Sequence, residues 1–287
     1  MLRINIIPIM CFSESRRLIL VIAHPHGGAS PFPLIFDRYD GHHHGITSTF
    51  TTMATPTSVT RLRQREFSQS RRAFKARGGQ VVRCDHCLLK SSLCICPDRP
   101  KARGKVAVCL LYYKGEVYKP SNSGRLVADV LSDNHAFLWS RTDPEAELLT
   151  LLANPAYAPV LVFPFEYASA ERCLDTPDKL SVFTCEAQHN NRKPMIILLD
   201  GTWREARKMF RSHYLDHLPV LGITPAKPSE YGLRTASHDH QLSTAEVAIE
   251  ILALLGDIER SIALREYFRI FSQRYLAGKA NHSGTES

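Results

Sequence analysis

Five consecutive apolar residues, Met195-Ile196-Ile197-Leu198-Leu199, run without a polar break into Asp200. Such a run suits a strand covered on both faces, as in a parallel sheet. Pro194 precedes it and Gly201-Thr202-Trp203 follows. Thr202 and Glu205 have capping-box spacing, which predicts a helix from about Trp203. Asp200 is therefore expected at the carboxyl end of a central strand, just outside a helix N-terminus. In open α/β sheets that crevice is where ligands bind.

The helix after Asp200 has two faces. Trp203, Ala206 and Phe210 share one, suited to packing on the sheet. Arg204, Arg207, Lys208 and Arg211 share another, where Glu205 near Lys208 is the one offsetting acid. That face is either a solvated basic surface or a phosphate-contacting stripe beside a catalytic acid.

Other apolar runs punctuate the chain. Val106–Tyr113, His135–Trp139 and Val160–Pro164 read as strands, and His217–Gly222 as a short one, with Pro219 marking an edge or a loop entry. Between them the sequence predicts a helix over about Ser123–Leu131, capped by Ser121 or Asn122, and another from Pro144 to about Leu152. Residues 168–193 have mixed polarity and are expected to include an irregular surface segment. Ser243 and Glu246 form a second capping box ahead of a helix through Leu255 that is apolar nearly all round, hence buried. Gly256 ends it, and Asp257 starts a last helix with Leu264, Tyr267, Phe268, Phe271 and Tyr275 on one face, stopped by Gly278. Alternating strands and helices imply a mostly parallel α/β sheet. No GxGxxG, Walker loop or GxSxG is present.

Charge is unevenly placed. The 287-residue chain has a net charge of +8. Between Arg61 and Lys105 thirteen cations face only Glu66, Asp85 and Asp98. This local excess suggests a polyanionic partner, or a solubilising arm. No stretch has membrane-spanning length and no export signal is recognisable, so no membrane partner and a cytoplasmic location are expected. Residues 1–52 hold prolines and His42-His43-His44 without amphipathic period, and read as a disordered or upstream-start extension, the natural protein beginning at Met53.

Four of the eight cysteines, Cys84, Cys87, Cys94 and Cys96, lie within thirteen residues. Four thiolates complete a closed tetrahedral Zn2+ shell of the structural kind. Two short disulfides are the alternative, and His86 is a possible substitute for one thiol. Cys109, Cys173 and Cys185 lie in or near apolar runs and read as buried, reduced thiols. In the loop Lys119-Pro120-Ser121-Asn122-Ser123-Gly124-Arg125, the amides with Lys119 and Arg125 form either an anion site or a plain helix cap. The long loop 223–242, with Lys227, Tyr231, Arg234, His238 and His240, is of a length that usually carries function or is disordered.

Asp200-Gly201-Thr202-Trp203 matches the D-x-T-W signature of the DTW-domain proteins. The four-cysteine cluster, the Lys119–Arg125 loop and Leu242-Ser243-Thr244-Ala245-Glu246 resemble that family's other motifs, in the same order. The resemblance covers about residues 83–255. It implies a tRNA-uridine aminocarboxypropyltransferase with a fold related to the SPOUT methyltransferases, knotting left open. The implied organisation is a basic arm at 53–82, a zinc module at 83–105, a SPOUT-like catalytic domain at 106–278 and a polar tail at 279–287.

The implied donor is S-adenosylmethionine. Uridine N3 attacks the carbon beside the sulfonium on the aminocarboxypropyl arm, and methylthioadenosine leaves. Alignment contributes on the order of 7–11 kcal/mol at best, and a positioned base about 10²–10⁴-fold. Asp200 is the candidate base, its pKa raised by partial burial; alternatively it fixes the Thr202 cap or binds the donor's amino group. Phe163, Pro164, Thr202, Trp203, Leu242, Ser243 and Thr244 are expected around the donor, with Glu166 at its amino group, although Trp203 equally suits a core anchor. Lys119, Ser121, Asn122, Arg125, Arg204, Arg207, Arg211 and Arg234 are expected tRNA contacts. The rivals are a SPOUT-like RNA methyltransferase and a zinc-bearing RNA-binding protein without catalysis.

Overall fold

In a computed structural model, residues 55–69, 81–100, 104–223 and 242–280 are described. The expectations for residues 1–52, for the 279–287 tail beyond residue 280 and for Arg234 and its loop neighbours lie outside these residues.

The helices are α1 (Ser58–Gln69), α2 (Gly124–Val130), α3 (Ala146–Leu152), α4 (Pro177–His189), α5 (Trp203–Phe210), α6 (Thr244–Leu254) and α7 (Ile258–Ala280). The strands are β1 (Ala107–Tyr112), β2 (Asn134–Leu138), β3 (Tyr157–Val162), β4 (Lys193–Asp200) and β5 (Val220–Leu221). They form one sheet in the order β2-β1-β4-β3-β5, and every pairing is parallel. This meets the expectation of a parallel α/β sheet.

Side-chain alternation divides the core into two layers. Val108, Leu110 and Tyr112 of β1 and Ile196 and Leu198 of β4 pack with α1, α2, α6 and α7. Cys109, Leu111, Met195 and Ile197 face the other way, against Leu148 of α3 and Ala206, Met209 and Phe210 of α5. The apolar runs of β1 and β4 are thus covered on both faces. Both capping boxes form, at Thr202–Glu205 and Ser243–Glu246. Each contributes about 0.5–2 kcal/mol to its helix. Gly256 ends α6 at φ 75°, where a Cβ would be strained.

The structure adds to the expectations and corrects one of them. Within the 168–193 stretch, residues 177–189 form α4, a helix that was not expected, with Thr176 as a side-chain cap and Pro177 in the first turn. Its period was masked because only Leu180 and Ala187 are buried. Within the expected basic arm at 53–82, α1 buries Val59 and Leu62 in the main core. Gly278 does not stop α7, which continues to Ala280. Cys87, Leu89 and Ile95 of the cysteine segment belong to the same core cluster as α2 and α7. No helix among the described residues is long and apolar enough to cross a membrane.

Candidate functional site

The connections leaving the two central strands diverge. From β1 the chain passes through α2 to β2 on one side, and from β4 through α5 to β5 on the other. The carboxyl ends of β1 and β4 therefore flank the switch point of the sheet, where open α/β folds bind ligands. Tyr112 and Asp200, the last residues of these strands, are register partners.

Asp200 lies on the α2/α6 face and is 2% exposed. Asn122 Nδ2 donates to its Oδ1 at 2.7 Å. Asn122 Oδ1 accepts from the Arg125 amide at 3.2 Å and from Tyr112 Oη at 3.4 Å. Gly124 is pressed against the other oxygen: a Cβ there would collide with Oδ2 of Asp200 and lie 3.0 Å from Tyr112 Oη. Burial first, and the Asp200 charge next, push the Tyr112 hydroxyl well above its ordinary pKa, so it stays a neutral donor. The start of α6 closes the group, since the Ala245 amide donates to Ser123 Oγ at 3.2 Å. Sequence reasoning missed Tyr112 and Gly124. A tyrosine ending the first buried strand was visible, but its pairing with Asp200 was not.

The expected donor residues divide between the two faces of this edge. Leu242, Ser243 and Thr244 lead into α6 on the Asp200 side. On the other side Phe163, just past β3, stacks on Trp203 (centroids 5.4 Å, 7°) and on Phe210 (4.4 Å, 18°). Tyr167 meets Trp203 edge-on at 5.6 Å. Trp203 is thus at least a core anchor, half-buried. The hydroxyls of Thr202 and Ser243 are occupied by Glu205 and by the Glu246 amide, so these turns offer a ligand chiefly backbone. Glu166 is exposed and Pro164 half-buried. Two surface clefts of about 350 and 360 Å³ lie elsewhere, and Asp200 lines neither.

The expected RNA contacts also divide. Arg204, Arg207 and Lys208 of α5 and Arg211 just past its end are all exposed. Lys119 is exposed and pairs with Glu116, and Ser121 is half-buried. Asn122 and Arg125 are buried. With both inside, and the Arg125 amide bonded to Asn122, the start of α2 is a closed cap rather than an open anion site. The sequence count also overstates free charge: Arg63 is buried and Arg65 pairs with Glu145 at 2.7 Å.

Cys84, Cys87, Cys94 and Cys96 bring their sulfurs within 4.8 Å of one another. Cys84 and Cys96 are 3.6 Å apart, Cys87 and Cys94 3.8 Å. Metal–sulfur bonds of about 2.3 Å set tetrahedral edges of about 3.8 Å, so the donor set fits a tetrahedral metal. All seven cysteines among the described residues are free. A hydrogen bond from Cys96, more than burial opposes it, pulls the Cys87 thiol down to about 4, whereas burial pushes Cys94 up to about 11. His86 does not join the cluster: its Nε2 meets Asp129 at 3.0 Å and its Nδ1 meets Thr60 Oγ1 at 3.3 Å. Cys109 and Cys173 are buried as expected, while Cys185 is only half-buried.

A parallel sheet with a buried acid at its switch point and a cysteine cluster packed against its core defines the class of α/β fold. The family model described as the DTW domain matches residues 81–276, and the chain belongs to the DTW-domain family. Among curated proteins, the tRNA-uridine aminocarboxypropyltransferase 2 of Drosophila melanogaster is 30% identical over 97 residues, covering 31% of this chain and 39% of that protein. No solved structure matches.

Proposed function

We propose that this protein is a tRNA-uridine aminocarboxypropyltransferase acting on N3 of a tRNA uridine, with Asp200 as the proton acceptor. The observation that carries the reading is the family's acid at the switch point, fixed by Asn122 between the starts of α2 and α6. Support comes also from the D. melanogaster relative, whose name states that activity.

The residues at the strand ends fit S-adenosylmethionine as donor. Phe163 and Trp203 offer aromatic surface, the turns at Thr202 and at Leu242-Ser243-Thr244 offer backbone groups, and Glu166 offers a carboxylate for an ammonium. Bound there, the donor supplies the aminocarboxypropyl group and a sulfonium leaving group. Asp200 takes the imino proton of the uridine. Lys119 and the exposed cations of α5 meet tRNA phosphates. Zn2+ fills the four-cysteine site, supported by its sulfur spacing, and the parallel sheet is the SPOUT-like core.

The 2% exposure of Asp200 and its bond to Asn122 favour a second reading, in which Asp200 positions the 119–124 loop and takes no proton. Asp200→Asn separates the two. It still accepts from Asn122 but is a poor base, so a base role costs about 10²–10⁴-fold in transfer rate. A positioning role leaves most of the rate and makes Asn122→Ala as harmful as Asp200→Ala.

The whole reading is tested by nucleoside mass spectrometry of tRNA after incubation with pure protein and S-adenosylmethionine. The expected products are 3-(3-amino-3-carboxypropyl)uridine and methylthioadenosine. Release of S-adenosylhomocysteine would establish methyl transfer instead. An unchanged tRNA that nevertheless binds would leave a non-catalytic RNA-binding protein.

A further inference from the structure

Two aromatic residues at the carboxyl edge of the sheet take no part in the site described above. Tyr113 follows β1 and Trp139 follows β2. The backbone ladder continues through them. The Trp139 amide donates to the Tyr112 carbonyl at 2.8 Å, and the Tyr113 amide donates to the Asp200 carbonyl at 2.9 Å. Side chains alternate along a strand, so Tyr112 and Asp200 turn towards α2 and α6 while Tyr113 turns towards α5. There its ring stacks on that of Trp139, with centroids 5.5 Å apart and planes at 21°. Both residues are half-buried against the core layer under α5, so each keeps surface in contact with water.

The pair is anchored and bordered by cations. Trp139 Nε1 donates to Ser212 Oγ at 2.8 Å, which fixes the indole beside the end of α5. At the start of α5, Gly201 admits Tyr113: a Cβ on Gly201 would lie 3.2 Å from the Tyr113 Cβ and 3.1 Å from the Glu205 Cβ. α5 therefore runs alongside the pair, and Lys208, one turn on from Glu205, is exposed. Lys114, next to Tyr113, and Arg141, two residues past Trp139, are exposed too. The acids here offset little of this charge. Glu205 is taken by the Thr202 amide and hydroxyl, and Glu145 by Arg65 and the Leu138 amide. Asp143 is the one exposed acid between residues 139 and 145.

We propose that Tyr113 and Trp139 form a stacking platform for a nucleobase of the RNA, the one beside the reacting uridine, with Lys114 and Lys208 at its phosphates. The inference rests on the tRNA-uridine reading given above, and the experiment separates the two. A base that is to react at N3 must leave its pairing and its stack, and its neighbour then loses a stacking partner. Aromatic rings beside a cationic surface replace that partner for any base, because every base has a π-face. The Tyr113 amide is bonded to Asp200 itself. The platform therefore sits one strand end away from the proposed proton acceptor, on the opposite face of the same edge. The rings are already stacked and anchored, so little side-chain freedom is lost on binding.

Binding of total tRNA to the full chain is measured by filter binding at several salt concentrations for the wild type, Tyr113→Phe and Tyr113→Leu. Tyr113→Phe keeps the ring and is expected to bind as the wild type does. Tyr113→Leu keeps apolar bulk but no π-face, and its affinity is expected to fall by about 5–150-fold. The salt slope should not change, because no phosphate contact is lost. A leucine variant that binds like the phenylalanine variant overturns the proposal, as does a loss that comes with a shallower salt slope. Should Tyr113→Leu fail to fold, fluorescence decides. The chain has two tryptophans, so Trp203→Phe leaves Trp139 as the sole indole. Saturating tRNA is expected to quench its emission through the stacked base; unchanged emission overturns the platform. Product analysis keeps the two readings apart. A wild type that binds tRNA but forms no aminocarboxypropyl product removes the transferase reading, while the leucine and phenylalanine variants still decide the platform. A wild type that binds no tRNA removes both.

Discussion

Two aspartates sit at opposite ends of the same sheet and are held by opposite means. Asp133, just before β2, lies at the amino end and is partly exposed. Lys193 Nζ at 2.7 Å, Tyr157 Oη at 3.1 Å and His135 Nε2 at 3.2 Å converge on it. Asp200, at the carboxyl end of β4, is buried, takes the neutral amide of Asn122 and is packed against Gly124. A carboxylate ringed by charged and phenolic donors near water is a stability device of modest worth. A carboxylate fixed by shape and a neutral donor has its position set, and that is what a reacting group needs.

The largest expected effect belongs to Asp200. Asp200→Asn should lower single-turnover transfer by about 10²–10⁴-fold while tRNA affinity, measured by filter binding, is largely kept. Asp133→Asn should leave that rate near wild type. Similar losses in both variants would break the contrast between the two ends.

Next comes the steric half of the contrast. Gly124→Ala places a methyl where Oδ2 of Asp200 and Tyr112 Oη already sit. Overpacking of this kind costs about 1–3 kcal/mol, and the carboxylate must move to relieve it. Urea unfolding should show the loss, and transfer activity should fall further than stability does. An alanine variant with wild-type stability and rate would mean that the loop yields freely, and the claim of a shape-fixed carboxylate would be lost.

The sequence made the Asp200 end partly legible and the Asp133 end hardly at all. The unbroken apolar run, the two capping boxes and Gly256 are local signals, and β4, α5 and α6 follow from them. The cysteine spacing likewise announced a cluster. The partners of Asp200 are non-local: Tyr112, Asn122 and Gly124 reach it only because β4 inserts beside β1, and no spacing along the chain encodes that pairing. Arg125 misled for the same reason. A cation in a polar loop reads as surface, yet Phe271 of α7 covers it. α1 and α4 were missed because their charged or mixed sequences bury only narrow stripes.

Cations mark a smaller difference. At the amino end Lys193 is tied to Asp133, whereas Arg204, Arg207 and Lys208 of α5, the helix that starts beside Asp200, and Arg211 after it face water. If these meet phosphates, Arg207→Ala should weaken tRNA binding and reduce its salt slope by about 1. Titrations at two salt concentrations measure this. Parallel slopes for variant and wild type would make α5 merely a solvated face.

The smallest effect tests the other end. Burial pushes the Asp133 carboxyl up, but the bond and charge of Lys193, with Tyr157 and His135, hold it below its ordinary range. A depressed folded pKa gives stability that is present above the unfolded carboxylate pKa and is lost as pH falls through the folded value. Both side chains are partly exposed, so solvent limits the pair to about 0.2–1 kcal/mol. Lys193→Met should therefore lower stability to urea by that amount at neutral pH. The gap should narrow in high salt and close as the medium is acidified past the carboxylate range. A gap indifferent to both would assign the effect to packing of the Lys193 stem beside Tyr157 rather than to charge. The amino end would then be held by shape as well, and the distinction between the two aspartates would rest on burial alone.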